Sequence, residues 1–172
     1  VLTNSKKFYD YCNYLCDQAK DNSLLSIHNE VGFNYKLSNV HSAIGCSQMG
    51  KLRKYLKKKK MIHNNYCRLF QHSSDFEILN SEPFFQSNHW LNVLIIKNQK
   101  KYSLKKIIKK LQQNGFESRP IWKLNHLQIP YKKFQRYLIT KASNIVKTHL
   151  CLPSGPDLKF ISQKKIFKIL KS

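Results

Sequence analysis

The sequence predicts an α/β chain in which a long helix leads into a small α+β domain with a short, mostly antiparallel sheet. An apolar stripe at helical spacing runs through Val40, Ala43, Ile44, Leu52, Leu56, Ile62, Tyr66 and Leu69. Two strand-like runs then follow, "FEILN" and "HWLNVLIIK", rich in β-branched and aromatic residues. Beyond them the order strand, strand, helix, strand, helix is that of a sheet with helices on one side.

Each element has its local signal. "VLTN" reads as the end of a strand, and Asn4 or Ser5 caps a helix predicted to run to about Lys20. Phe8, Tyr11, Cys12, Leu15 and Ala19 give that helix a buried side. Residues 21 to 37 read as irregular, with Gly32 permitting a backbone conformation that a side chain forbids. Ser38 or Asn39 then caps a helix predicted over residues 38 to 70, near ~45 Å long at about 1.5 Å per residue. A helix of that length commonly joins two bodies. The organisation expected is residues 1–37, a linking helix 38–71, and an α+β domain 72–172. Within that domain, "SLKKIIKKLQQN" is a helix stopped by Gly115, and "FESRP" is a short extended piece. A loop containing Trp, His and Pro, two short helices, the strand-like "LCLPSG" and a final helix over residues 160 to 170 complete it.

Composition narrows the function classes. The 172 residues carry a formal charge of +22, which attracts phosphates of any kind. Lysine dominates, and arginine is confined to Arg53, Arg68, Arg119 and Arg136, although phosphate and base recognition favours the arginine fork. The lysine excess reads as a compositional bias, and "KKKK" at 57 to 60 reads as a solvated helix face. Five cysteines lack metal-type paired spacing and read as buried thiols of a reducing cytoplasm; no metal site is expected. The longest apolar run has strand length, and neither a signal peptide nor a membrane span is visible.

"EVGFNYKLSNVHSAIGCSQMGKL", residues 30 to 52, stands apart from the lysine-rich remainder. It carries little charge, and Ala43, Gly45 and Ser47 keep its helix thin enough for another backbone to approach. One reading is a loop and helix start packed on a neighbouring element, which the residues alone favour. The other is an anion-contacting loop at a helix N-terminus, packed against a partner subunit.

This stretch resembles the signature of the DegT/DnrJ/StrS family of pyridoxal-phosphate-dependent sugar-nucleotide aminotransferases: glycine, aromatic, asparagine, tyrosine, then a helix of small residues with a glutamine before a leucine. "VLTNSKKF", "SRPIWKLNHL" and "LCLPSG" resemble three further family segments in the same order. "RPIW", "LPSG" and "SNHWLN" lean toward the branch aminating bacillosamine- and legionaminic-type sugars.

The resemblance implies the C-terminal part of a fold-type-I aminotransferase, with residues 1–37 a remnant of the large cofactor-binding domain. It further implies pyridoxal 5'-phosphate as cofactor, a nucleotide-linked 4-keto-6-deoxy sugar as substrate, glutamate as amino donor, and a cytoplasmic homodimer serving polysaccharide or glycan biosynthesis. The family's Schiff-base lysine lies just before the segment matching "VLTN", so no catalytic residue is assigned and this chain alone is expected to be inactive. Asn34 matches the asparagine that reaches the cofactor phosphate across the dimer. Lys36 stands where the family has arginine, keeping the charge and losing the fork. Lys36, Arg119 and His126 are the candidate substrate-binding residues. The plainer readings are a surface ion pair for Arg119 and a hydrogen-bonded loop residue for His126. Trp122 reads equally as core or as a pocket wall.

Two other classes compete. A nucleic-acid-binding module fits the charge, but no zinc-finger, RRM or homeodomain pattern is present. A membrane-surface module needs a basic amphipathic helix, for which only residues 103–113 and 158–171 serve. Neither nucleic acid nor membrane is the expected partner.

Overall fold

The computed structural model describes residues 2–22, 27–82 and 84–171. The chain divides into two compact units, Val1–Lys51 and Leu52–Ser172.

The first unit opens with helix α1 (Lys6–Cys16), whose N-cap Ser5 accepts a hydrogen bond from the Phe8 amide. The helix stops four residues before the expected Lys20, because Gln18 and Ala19 take left-handed backbone conformations with φ of 66° and 49°. Its expected buried side is open: Phe8 and Tyr11 are exposed and no residue of α1 is fully buried, whereas Ala19 beyond it is. The predicted strand at "VLTN" is absent over Leu2 to Asn4, and Val1 lies outside the described residues. The stretch read as irregular contains a small antiparallel pair, β1 (Lys20–Asn22) with β2 (Ile27–His28).

The single helix expected over residues 38–70 is two helices, α2 (Asn39–Met49) and α3 (Leu52–Phe70). Ser38 caps α2 by accepting from the His41 amide. At its end Lys51 donates to the Gln48 carbonyl at 2.9 Å, three residues back instead of four, which tightens the turn. Gly50 supplies the weakest non-proline helix former at that point. The boundary therefore falls at Lys51/Leu52, and α3 belongs to the second unit's core rather than to a linker.

The second unit is built on four antiparallel strands in the order β3 (Phe76–Ile78), β4 (Asn92–Ile96), β6 (His149–Leu152), β5 (Arg119–Pro120). Helix α4 (Leu104–Gln113) precedes β5, α5 (Thr140–Thr148) precedes β6, and α6 (Phe160–Lys171) closes the chain. The loop after β5 holds two 3-10 turns, Asn125–Leu127 and Ile129–Tyr131. Register puts Phe76 opposite Ile96 and Leu94 opposite Leu150, so one sheet face collects the buried residues. Ile62, Tyr66 and Phe70 of α3, Ile107 and Leu111 of α4, and Ile166 and Leu170 of α6 complete the core. Each such side chain contributes roughly 1.5–3 kcal/mol by leaving water. Phe70 meets Phe76 and Phe167 edge-on, with ring centroids 6.2 and 5.0 Å apart. Gly115 ends α4 at φ 78°, where its left-handed backbone lets Phe116 donate to the Leu111 carbonyl at 2.9 Å.

Candidate functional site

In the first unit the loop over residues 32–36 is laid against the end of α1. Phe33 donates to the Leu15 carbonyl at 2.8 Å, Tyr35 to Cys16 at 3.0 Å, and Gln18 to Phe33 at 3.1 Å. Gly32 is required for a different reason than its backbone angles. A Cβ there would lie 2.2 Å from the Ala19 nitrogen and the Gln18 carbonyl carbon, so the close approach of two backbones excludes any side chain. Asn34 bridges Asp17 through its backbone, while its side chain is exposed and has no partner among the described residues. The Lys36 ammonium is paired with Asp17 at 2.7 Å, and that pairing holds the Asp17 carboxyl below its usual range. Asn34 thus offers a free amide donor beside a cation whose charge is already offset. The thin helix behaves differently: a Cβ on Gly45 meets nothing within 4 Å, so no element described here makes use of that face.

In the second unit the site is an open groove of about 600 Å³ at the β5 edge of the sheet. Its lining includes Leu91, Phe116, Ser118, Arg119 and residues 151–155. Register places Arg119 opposite Cys151, and Cys151 opposite Val93, on the face not covered by the core helices. The guanidinium is exposed and engages the Glu117 carboxylate through Nε at 2.9 Å and through Nη2. Ser118 beside it is 2% exposed, and its hydroxyl is the buried side-chain polar atom that finds no partner among the described residues. A buried polar group without a partner costs on the order of 1–3 kcal/mol. His126 sits half-buried in the first 3-10 turn and does not line the groove. Trp122 is 66% exposed and is a core residue in neither unit.

The groove's far wall is held by residues that the sequence reading placed elsewhere or passed over. Lys59 was expected on a solvated face. It is half-buried, and its ammonium donates to the Trp90 carbonyl at 2.9 Å and the Ser154 carbonyl at 2.8 Å. Burial lowers its pKa from the usual lysine value. Among the described residues, Lys58 alone of those four lysines makes an ion pair, with Asp157 at 3.0 Å. Tyr66 donates to the Pro153 carbonyl at 3.0 Å. Asn92 donates from its backbone and its Nδ2 to the Ser154 hydroxyl, at 2.9 and 3.0 Å, and that hydroxyl donates to the Leu152 carbonyl. The signal for Lys59 was present: four successive helical residues, about 100° apart, cannot share one face.

Behind this wall, His63 is buried with Nδ1 2.9 Å from Asn92 Oδ1 and Nε2 2.9 Å from Asn80 Oδ1. Because Asn92 Nδ2 is committed to Ser154, its oxygen faces the ring, and the imidazole Nδ1 donates to it. The contact with Cys67, followed by the two carboxamides, raises the His63 pKa to about 9 against the opposing pull of burial. His89 stacks on the ring with centroids 4.1 Å apart. The cysteines are all free; Cys46 is exposed and the other four are half-buried, not buried as expected.

Comparison with known proteins identifies the lineage. Residues 1–171 match the model of the DegT/DnrJ/EryC1/StrS aminotransferase family. The chain belongs to that family. EpsN of Bacillus subtilis is 25% identical over 174 residues, covering 99% of this chain and 44% of EpsN. The GDP-perosamine synthase of Vibrio cholerae is 26% identical over 178 residues, covering 100% of this chain and 47% of the synthase. Among solved structures, Helicobacter pylori PseC, an aminotransferase involved in the biosynthesis of pseudoaminic acid, superposes with a TM-score of 0.79 at 20% identity, over 98% of this chain and 47% of PseC. This member of the family thus spans about half the length of the relatives it matches.

Proposed function

We propose that this chain provides the C-terminal part of a pyridoxal-phosphate-dependent aminotransferase acting on a nucleotide-linked 4-keto-6-deoxy sugar. Glutamate donates the amino group, and the complete enzyme works as a cytoplasmic homodimer in surface polysaccharide or glycan biosynthesis. The observation that carries this reading is the family match over residues 1–171, whose relatives include a GDP-perosamine synthase and an aminotransferase involved in the biosynthesis of pseudoaminic acid.

The residues present fit part of such a site. Pyridoxal phosphate, when bound, supplies the electron sink through which an amino group passes from glutamate to a keto sugar. Asn34, exposed and unpartnered among the described residues, donates its side-chain amide to the cofactor phosphate of the neighbouring subunit. Lys36 stays close to that anion while Asp17 fixes its direction. Arg119 holds the substrate's diphosphate, exchanging the exposed Glu117 pair, which is worth little in water. His126 orients the sugar from its 3-10 turn. The lysine that would carry the cofactor lies, by the resemblance, just before the segment matching "VLTN".

The competing membrane-surface reading loses its helices. Ile107 and Leu111 of α4 and Ile166 and Leu170 of α6 are buried in the core, so these apolar residues pack against the sheet instead of lipid. Among the described residues no helix is long and apolar enough to cross a membrane.

The test is amination of a nucleotide-linked keto sugar with glutamate, run with this chain alone and with it joined to the lysine-bearing half of a relative. Amino sugar and 2-oxoglutarate should form in equal amounts from the joined protein, and neither from the chain alone. Turnover by the chain alone, or none by a folded joined protein with any nucleotide-linked keto sugar, contradicts the reading.

A further inference from the structure

Trp90 and Trp122 arrive from different segments and meet with ring centroids 6.0 Å apart and planes 36° from parallel. Both remain largely open, at 64% and 66% exposure. Large exposed indoles in contact are uncommon on a surface that has no use for them. Their placement is built. The Lys59 ammonium binds the Trp90 and Ser154 carbonyls together, which fixes Trp90 to the loop walling the groove. Trp90 also donates its amide to Asn88 Oδ1 at 2.9 Å. Trp122 lies two residues past the end of β5, three positions after Arg119. The groove beside these attachments is lined by Arg119, whose guanidinium is exposed.

We propose that the Trp90–Trp122 pair is a stacking platform for the base of a nucleoside diphosphate, with Arg119 receiving its diphosphate. This rests on the nucleotide-linked substrate proposed above. The geometry selects how the base is held. A ring sandwiched between two indoles needs about twice the ~3.4 Å stacking distance, and the pair is too close for that. The base therefore stacks on an outer face of the pair while the second indole buttresses the first. Such stacking tolerates any base, so it contributes affinity and leaves discrimination between bases to other contacts. A volume of about 600 Å³ accommodates a nucleotide-sized ligand.

The chain contains two tryptophans in all, so its indole emission reports on this pair alone. Titration of this chain with UDP and with GDP should quench that emission saturably. Inorganic pyrophosphate, which lacks a base, should leave the emission unchanged while raising the UDP concentration needed. Trp90→Leu and Trp122→Leu, both at exposed positions, should each weaken UDP binding about ten- to a hundredfold by calorimetry. Equal quenching by pyrophosphate, UDP affinity unchanged in both variants, or no response to either nucleotide overturns the proposal. A UDP response here without amination by the joined protein sinks the proposed reaction alone. Amination with KM indifferent to both substitutions sinks the platform alone.

Discussion

The Lys59 ammonium donates to the Ser154 carbonyl at 2.8 Å, and this bond ties the interior of α3 to the loop that walls the groove. The same ammonium also satisfies Trp90, so one side chain positions two parts of the candidate site.

Lys59→Met removes the donor from both carbonyls while retaining most of the side-chain volume. The substitution should destabilise the second unit by ~1–3 kcal/mol in denaturant unfolding. Amide exchange at residues 154 and 155 should accelerate. Lys60→Met, at an exposed position of the same run, should stay within about 0.5 kcal/mol of the parent. Equal effects at the two positions would return Lys59 to the solvated face.

Gly32→Ala brings a methyl group into the backbone of Gln18 and Ala19, which cannot move aside as a flexible side chain does. The cost should be at least ~1–3 kcal/mol, borne by the first unit. Hydrogen exchange should show lost protection at the Phe33 and Tyr35 amides, whose acceptors are Leu15 and Cys16. Retained protection at both amides would mean that the loop is not seated as described.

His63 makes stability depend on pH in a stated direction. Its folded pKa is raised from 6.5 to about 9, so the stabilisation is complete below pH 6.5 and is lost as pH climbs through about 9. Denaturant midpoints should therefore fall across that window in the parent and stay flatter in His63→Gln. A parent as pH-independent as the variant would show that folding does not hold the ring in its charged form.

The parts legible in the sequence are those governed by short-range periodicity. The alternation of β4 and the glycine stop after α4 follow from neighbours in the chain. The interruption at Gly50 was visible as well. The apolar stripe is empty between Ile44 and Leu52, yet the helical spacing on either side made one helix look continuous. What was illegible depends on distant partners. The His63–Asn92 bond joins residues 29 apart, and Lys59 reaches Ser154 across 95. Ser118 carries no sequence signal at all, because its significance is the absence of a partner after folding. Arg119 was a substrate-binding candidate by resemblance alone; it lines the groove, and its plainer reading as a surface ion pair is what the side chain does with Glu117.

The account centres on the loop at residues 32–36 completing a neighbouring subunit's cofactor site, and subunit mixing tests it most directly. In the enzyme completed with a lysine-bearing half, Asn34→Ala should cost about one to two decades in cofactor affinity, since a charge-assisted bond is worth ~1.5–3 kcal/mol. Lys36→Arg should be neutral or improve turnover. Asn34→Ala subunits are then mixed with subunits lacking the cofactor-bearing lysine. One site of each heterodimer carries both defects and the other carries neither, so near-native activity per intact site should return. Heterodimers that form and restore nothing would contradict the account, and the loop would then serve only to pack against α1.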